Sequence, residues 1–228
     1  MKETADITRW SMNRREFLMA VGGGLCASTL PRNAAGAADQ RQPGSEFIES
    51  RCEKEAGPKS RVLIAYASRC GSTGGVAETL GRVLCEAGMP VDVRLVGNVS
   101  DLSPYRAVIL GSAIRMGSWL PEAAEFANKH QDVLGHMPTA DFVVCMTMKD
   151  DTTENRKTVM AYLDPVRKKA PRIIPASTGL FAGATDFKKL SFVYRAVLKA
   201  KGTPEGDFRD WPAIRKWAAE IRPALLKA

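Results

Sequence analysis

The stretch AYASRCGSTGGVAETL, residues 65–80, holds the residues best suited to chemistry. It passes from an apolar run into a helical pattern through Ser68, Gly71, Ser72, Thr73 and Gly74. The start of a helix offers N–H groups without intrahelical partners and the positive end of its dipole. Glycines let those amides come close to a ligand, and hydroxyls add further donors. Such a turn solvates a phosphate without a fixed positive charge. It lacks the G-K-S/T ending that reaches a β- or γ-phosphate, and it lacks G-x-G-x-x-G. A phosphomonoester therefore fits better than a triphosphate or a pyrophosphate. Serines and threonines also collect at helix starts as caps, and capping alone is the competing explanation.

A second loop, GSAIRMGSWLPEAAEF, begins at Gly111. Ser112, Ala113, Ile114, Arg115, Met116, Gly117 and Trp119 form a mainly apolar lip there. A flat ring such as an isoalloxazine needs such a surface to lie on, with backbone amides at its polar edge. A third turn, MTMKDD, brings Thr147 and Met148 to the same rim. His130 and His136 fall on or after a helix, away from the strand ends, and read as surface residues. No side chain is assigned as a general acid or base.

The elements that must position these loops are legible as alternating patterns. RVLIAY (61–66), AVILG (107–111), DFVVCMT (141–147) and RIIPASTGLF (172–181) are continuous apolar runs, and VDVRL (91–95) alternates. Continuous runs suit strands buried on both faces. Helical spacing of apolar residues recurs over 75–87, 121–134, 154–168 and 210–226. Five alternations predict a doubly wound parallel sheet with helices on both faces. Ligands in such sheets sit beyond the carboxyl ends of the strands, where the strand order reverses. One piece exceeds a usual connection: residues 184–208 are basic, with Phe187, Leu190, Phe192, Val193, Tyr194 and Val197 at helix-like spacing. An amphipathic element there would lie on a membrane, cover a ligand or simply pack.

The chain has 228 residues and a formal net charge of +8, enough length for one sizeable core plus extra sequence. The charge favours anionic partners, but no nucleic-acid-binding signature accompanies it, so nucleic acid is set aside. Five cysteines, at 26, 52, 70, 85 and 145, form no C-x-x-C pair and have no zinc-type spacing, so no metal is expected. Cys85 and Cys145 fall in apolar segments and read as core. No disulfide framework is expected, with Cys52 the one candidate for an exception.

Residues 1–37 contain paired arginines at 14 and 15, Phe17-Leu18, a short apolar stretch and Ala35-Gly36-Ala37. That layout resembles a twin-arginine export signal, which implies an exported, periplasmic or membrane-associated destination and a cofactor already inserted. Met12 directly precedes the motif and is an alternative start. GGGLCA (22–27) mimics a dinucleotide fingerprint but follows no strand. Residues 38–59 are polar and read as a linker, leaving 60–228 as the folded domain.

VLIAYASRCGST (62–73), VILGSAIRMGSWL (108–120) and GDFRDWPAIRKWA (206–218) resemble the flavodoxin-like family, and within it the menaquinone-dependent protoporphyrinogen oxidase type. The resemblance implies a flavodoxin-like five-stranded parallel sheet in the order 2-1-3-4-5 with an insertion before the last helix. It implies FMN, with Ser68, Gly71, Ser72, Thr73 and Gly74 at the phosphate. Ser112 to Gly117, Trp119, Thr147 and Met148 would be at the ring. It further implies an FMN-dependent oxidoreductase passing electrons between a reduced organic substrate and a quinone-type acceptor, with the basic insertion approaching a quinone or membrane surface. An electron carrier without enzymatic activity and a flavin-free interaction module stay open as alternatives. Arg115 stands where related sequences commonly place an aromatic residue.

Overall fold

A computed structural model describes residues 47–54, 60–189, 192–200 and 202–227. The twin-arginine-like segment and most of the expected linker lie outside these residues. The elements, in chain order, are β1 (Ser50–Cys52), β2 (Arg61–Ala67), α1 (Ser72–Glu86), β3 (Val91–Leu95), β4 (Tyr105–Arg115) and β5 (Ser118–Trp119). Then come α2 (Pro121–Leu134), β6 (Thr139–Val144), α3 (Thr153–Ala161), α4 (Asp164–Lys169), β7 (Thr178–Phe181) and β8 (Ala184–Thr185). The chain closes with α5 (Phe192–Ala200), β9 (Gly206–Asp207) and α6 (Trp211–Leu225).

The main sheet runs β1-β3-β2-β4-β6-β7, and all pairings from β3 to β7 are parallel. Those five strands have the expected 2-1-3-4-5 order. The continuous apolar runs are explained by burial on both faces. On β2, Val62, Ile64 and Tyr66 enter one core with α1 and α6, while Leu63, Ala65 and Ala67 enter the other with α2, α3 and α4. β4 and β6 divide their side chains in the same way. Gly111, at the centre of β4, is required by this packing: a Cβ there would lie 2.0 Å from the Phe142 ring.

The structure departs from the sequence reading in several places. Residues 50–52, expected within the linker, pair antiparallel to β3 as an edge strand. Cys52 and Cys85 form a disulfide across a sequence separation of 33, so Cys85 is not a free core thiol. The helix expected over 154–168 is two helices, broken at Tyr162–Leu163 with Pro165 in the first turn of the second. The run 172–181 yields a strand only from Thr178, at the edge of the sheet, and Pro175 lies before it in the connection. Its Ile174 is largely exposed. The second loop is shorter than expected: β4 continues to Arg115 and turns back into β5 through Met116 (φ 53) and Gly117 (φ 72).

β8 and β9 pair antiparallel, Ala184 with Asp207 and Thr185 with Gly206, closing the base of the insertion that carries α5. Among the described residues no helix is long and apolar enough to cross a membrane.

Candidate functional site

From β2 the chain crosses through α1 to β3 on one side, and β4 lies on the other. The strand order reverses between β2 and β4, so a crevice must open beyond their carboxyl ends. A cavity of about 380 Å³ opens there. It lies in the range of small-molecule sites, about 300–1,000 Å³. Ser68, Arg69, Cys70 and Ser72 line it from the β2–α1 turn, and Ala113, Ile114, Arg115 and Gly117 from the β4–β5 hairpin. Cys145, Met146 and Thr147 contribute from the turn after β6, and Gly183 to Asp186 from the end of β7 onward. Tyr162 from the α3–α4 break and Leu198 and Thr203 from the insertion complete the wall.

The β2–α1 turn is organised by its own atoms. The Gly71 N–H donates to Ser68 Oγ at 3.0 Å, and Gly71 takes the left-handed conformation (φ 86) that places it before the helix. Arg69, on the cavity wall, makes a two-point ion pair with Glu122 in the first turn of α2. That contact fixes the turn against the neighbouring helix.

The start of α1 has no side-chain cap and no acidic residue in its first turn. Thr152 caps α3 and Asp210 caps α6, whereas α2 and α4 also start without a side-chain cap but with proline and an acidic residue in the first turn. The serine and threonine of this turn are therefore not serving the helix as caps. Thr73 is wholly buried, and its hydroxyl has no hydrogen-bond partner among the described residues. A buried hydroxyl left in that state costs about 1–3 kcal/mol, and a ligand oxygen at the helix start would relieve it, although Thr73 itself lies behind the cavity wall that Ser72 lines.

The sequence-predicted residues divide into two groups. Ser68, Ser72, Ala113, Ile114, Arg115, Gly117 and Thr147 are brought together on the cavity wall. Gly71 and Thr73 shape the turn beside it. Gly74 serves packing, since a Cβ there would meet the Tyr66 hydroxyl at 2.9 Å. Ser112 is buried and receives the Leu120 N–H at 3.0 Å, which holds the hairpin closed. Trp119 and Met148 point into the core under the hairpin, because β5 and the turn after β6 each turn an apolar side chain inward. Met116 sits at the exposed hairpin tip. His136 is exposed, and His130 packs on Phe126, both away from the cavity.

Sequence reasoning missed Tyr162, Cys145, Gly183 to Asp186, Leu198 and Thr203. Gly183 was legible in principle as a glycine just past the fifth strand, at the rim where ligands bind. Burial pushes the Cys145 thiol up from its ordinary pKa, so it stays protonated beside the cavity. The opposite end of the sheet is closed by charge: Asp92 is buried between Arg61 (3.0 Å) and the Tyr105 hydroxyl (3.0 Å). Burial, with the bond to Asp92, pushes Tyr105 up to about 12.

Comparison with known proteins agrees with this geometry. The chain belongs to the flavodoxin domain family, whose model matches residues 63–210. It is 28% identical over 178 residues to protoporphyrinogen IX dehydrogenase (quinone) of Leishmania major, covering 73% of this chain and 76% of that protein. The protein of the same name from Escherichia coli K12 is 25% identical over 172 residues, 71% of this chain and 94% of that one. Among solved structures, oxidised flavodoxin 2 from Bacillus cereus aligns with a TM-score of 0.49 at 20% identity, over 72% of this chain and 98% of that one. FMN is the cofactor of this family, and the residues present fit it: an uncapped helix start with an unpartnered buried hydroxyl for the phosphate, and an adjoining cavity walled by Ala113, Ile114, Gly117 and Tyr162 for a flat ring.

Proposed function

We propose that the chain is an FMN-dependent oxidoreductase that carries electrons from a bulky, reduced, protoporphyrinogen-like organic substrate to a quinone-type acceptor. The reading is supported above all by one juxtaposition, the uncapped α1 turn with Ser68 and Ser72 on the wall of a cavity that Ala113, Ile114, Gly117 and Tyr162 also line. FMN, when bound, supplies the redox chemistry. The chain supplies position. First-turn amides of α1 and the Ser72 and Thr73 hydroxyls would hold the phosphate. The hairpin 113–117 and Tyr162 would bound the ring, and Arg115 at the rim would place a cation beside it. Leu198 and Thr203 of the insertion would cover the cavity and restrict water.

The names of the relatives support the finer reading of donor and acceptor. The insertion gives it a structural means: α5 carries Lys199 in its last turn, its Phe192 is largely exposed, and Lys188 precedes it. A basic, partly apolar helix beside the cavity would approach a quinone or an anionic membrane surface. The twin-arginine-like segment would place this activity outside the cytoplasm. The test is a spectrum of the protein isolated from the exported fraction, followed by quinone reduction with a reduced tetrapyrrole. Yellow protein that loses quinone reduction but keeps flavin when 187–203 is replaced by a short glycine-serine linker supports the enzyme. Quinone reduction unchanged by that replacement refutes the role of the insertion. Colourless protein that cannot be reconstituted with FMN refutes the cofactor reading.

A further inference from the structure

We propose that Arg209 is a positioning residue for the phosphate end of the site, an inference that rests on the FMN reading above. The segment GDFRDW, residues 206–211, lies outside the cavity, behind the first turn of α1. Its side chains converge on one guanidinium. The Asp207 carboxylate accepts from Arg209 Nε at 2.8 Å and from Nη2 at 2.6 Å. The Trp211 ring lies under the guanidinium at 4.3 Å. So held, Nη1 donates to the backbone carbonyl of Ser72 at 3.3 Å. The flanking residues anchor the segment itself: the Phe208 N–H bonds the Gly183 carbonyl at 3.1 Å, and Asp210 caps α6 through the Ala213 N–H at 2.9 Å.

Gly75 supplies an independent observation. A Cβ at that position would lie 2.5 Å from Arg209 Nη1. The helix therefore leaves unfilled the space the guanidinium occupies. A glycine inside a helix costs about 1 kcal/mol relative to alanine, and the arginine gives it a reason.

The contact acts through a peptide. The Ser72 carbonyl and the Thr73 N–H belong to one planar unit. A donor fixed on the carbonyl fixes the direction of that N–H and polarises it. The Thr73 N–H is a first-turn group without an intrahelical partner, on the residue whose buried hydroxyl is also unpartnered. Arg209 makes no contact with the cavity, and Asp207 offsets its charge. Its effect on a bound phosphate is therefore one of orientation, carried by Thr73.

The experiment compares FMN with riboflavin, which has the same ring and no phosphate. Apoprotein of the wild type, Arg209→Gln, Gly75→Ala and the double variant is titrated with each flavin by fluorescence quenching, and thermal melting of each apoprotein checks folding. Wild type is expected to prefer FMN. Arg209→Gln should weaken FMN about tenfold and riboflavin less than about twofold. Gly75→Ala displaces the same guanidinium and should show the same selective loss, with the double variant no worse than the more affected single one. Equal losses for both flavins overturn the proposal, as does an unchanged preference for FMN. If Arg209→Gln fails to fold, Gly75→Ala decides by the same criterion. Wild type that binds neither flavin refutes the cofactor reading and this inference with it. Wild type that binds both equally leaves the cavity standing but overturns the phosphate turn and the role of Arg209.

Discussion

Replacing Thr73 by valine should move two quantities in opposite directions. The threonine is 0% exposed, and its hydroxyl has no hydrogen-bond partner among the described residues. Valine has nearly the same shape and places a methyl where the hydroxyl was. In the apoprotein the change removes an unpartnered buried dipole, a penalty of about 1–3 kcal/mol. Little packing is lost in exchange. A net gain of about 1 kcal/mol would raise Tm by about 2–4 °C in a domain of this size. With FMN the same change deletes a hydrogen bond to a charged acceptor, worth about 1.5–3 kcal/mol. Affinity should then fall by about 10- to 150-fold. Differential scanning calorimetry of the apoprotein and a fluorescence titration with FMN measure the two effects. A lower apoprotein Tm would mean that the hydroxyl serves the fold. An unchanged FMN Kd would mean that the phosphate binds elsewhere, and either result refutes the reasoning.

Two further outcomes follow from groups away from the cavity. Asp141 is almost fully buried, and burial pushes its pKa up from 3.8 to about 6, opposed by bonding to Thr178 and the charge of Arg167. A carboxyl whose folded pKa is raised favours the folded state fully below about pH 4, and that contribution is lost as pH rises through about 6. Asp141→Asn should therefore flatten the stability profile between about pH 4 and 6 and raise stability at pH 7, by no more than about 3 kcal/mol. Denaturant midpoints across that pH range check it, and an unchanged slope counts against the buried acid. Reducing the Cys52–Cys85 disulfide reopens a loop spanning a sequence separation of 33 and should cost about 2–4 kcal/mol. Melting curves with and without dithiothreitol measure this, and coincident curves would contradict the estimate.

The sheet was legible because burial on both faces leaves an unmistakable mark: RVLIAY has no polar residue after Arg61, and each alternate side chain enters a different core. The strand–helix turn was legible as well, because glycines and hydroxyls gathered after an apolar run mark a helix start at the carboxyl end of a strand. What escaped the sequence was whatever depends on partners distant along the chain. Ser50–Cys52 is too short and polar to read as a strand, and becomes one only because β3 offers an edge. Cys85 sits in an apolar helix like any core thiol until β1 brings Cys52 beside it. Trp119 lies two residues after Gly117, so a flat loop would have aimed it at the ring. The tight turn through Met116 and Gly117 instead reverses the strand and buries the indole. Tyr162 reaches the cavity only because the helix breaks there, a consequence of Pro165 that periodicity alone does not locate in space.

The short antiparallel ribbon at residues 50–52 also has a protective consequence. Without it, β3 would present a row of unpaired backbone donors and acceptors to solvent, a template on which a second molecule could add a strand. The covalent tether to Cys85 keeps that cover in place even when local fluctuations loosen its three residues. Self-association through this margin is thus suppressed wherever the sulfurs stay oxidised, and thiol exposure converts the same margin into a nucleus for aggregation.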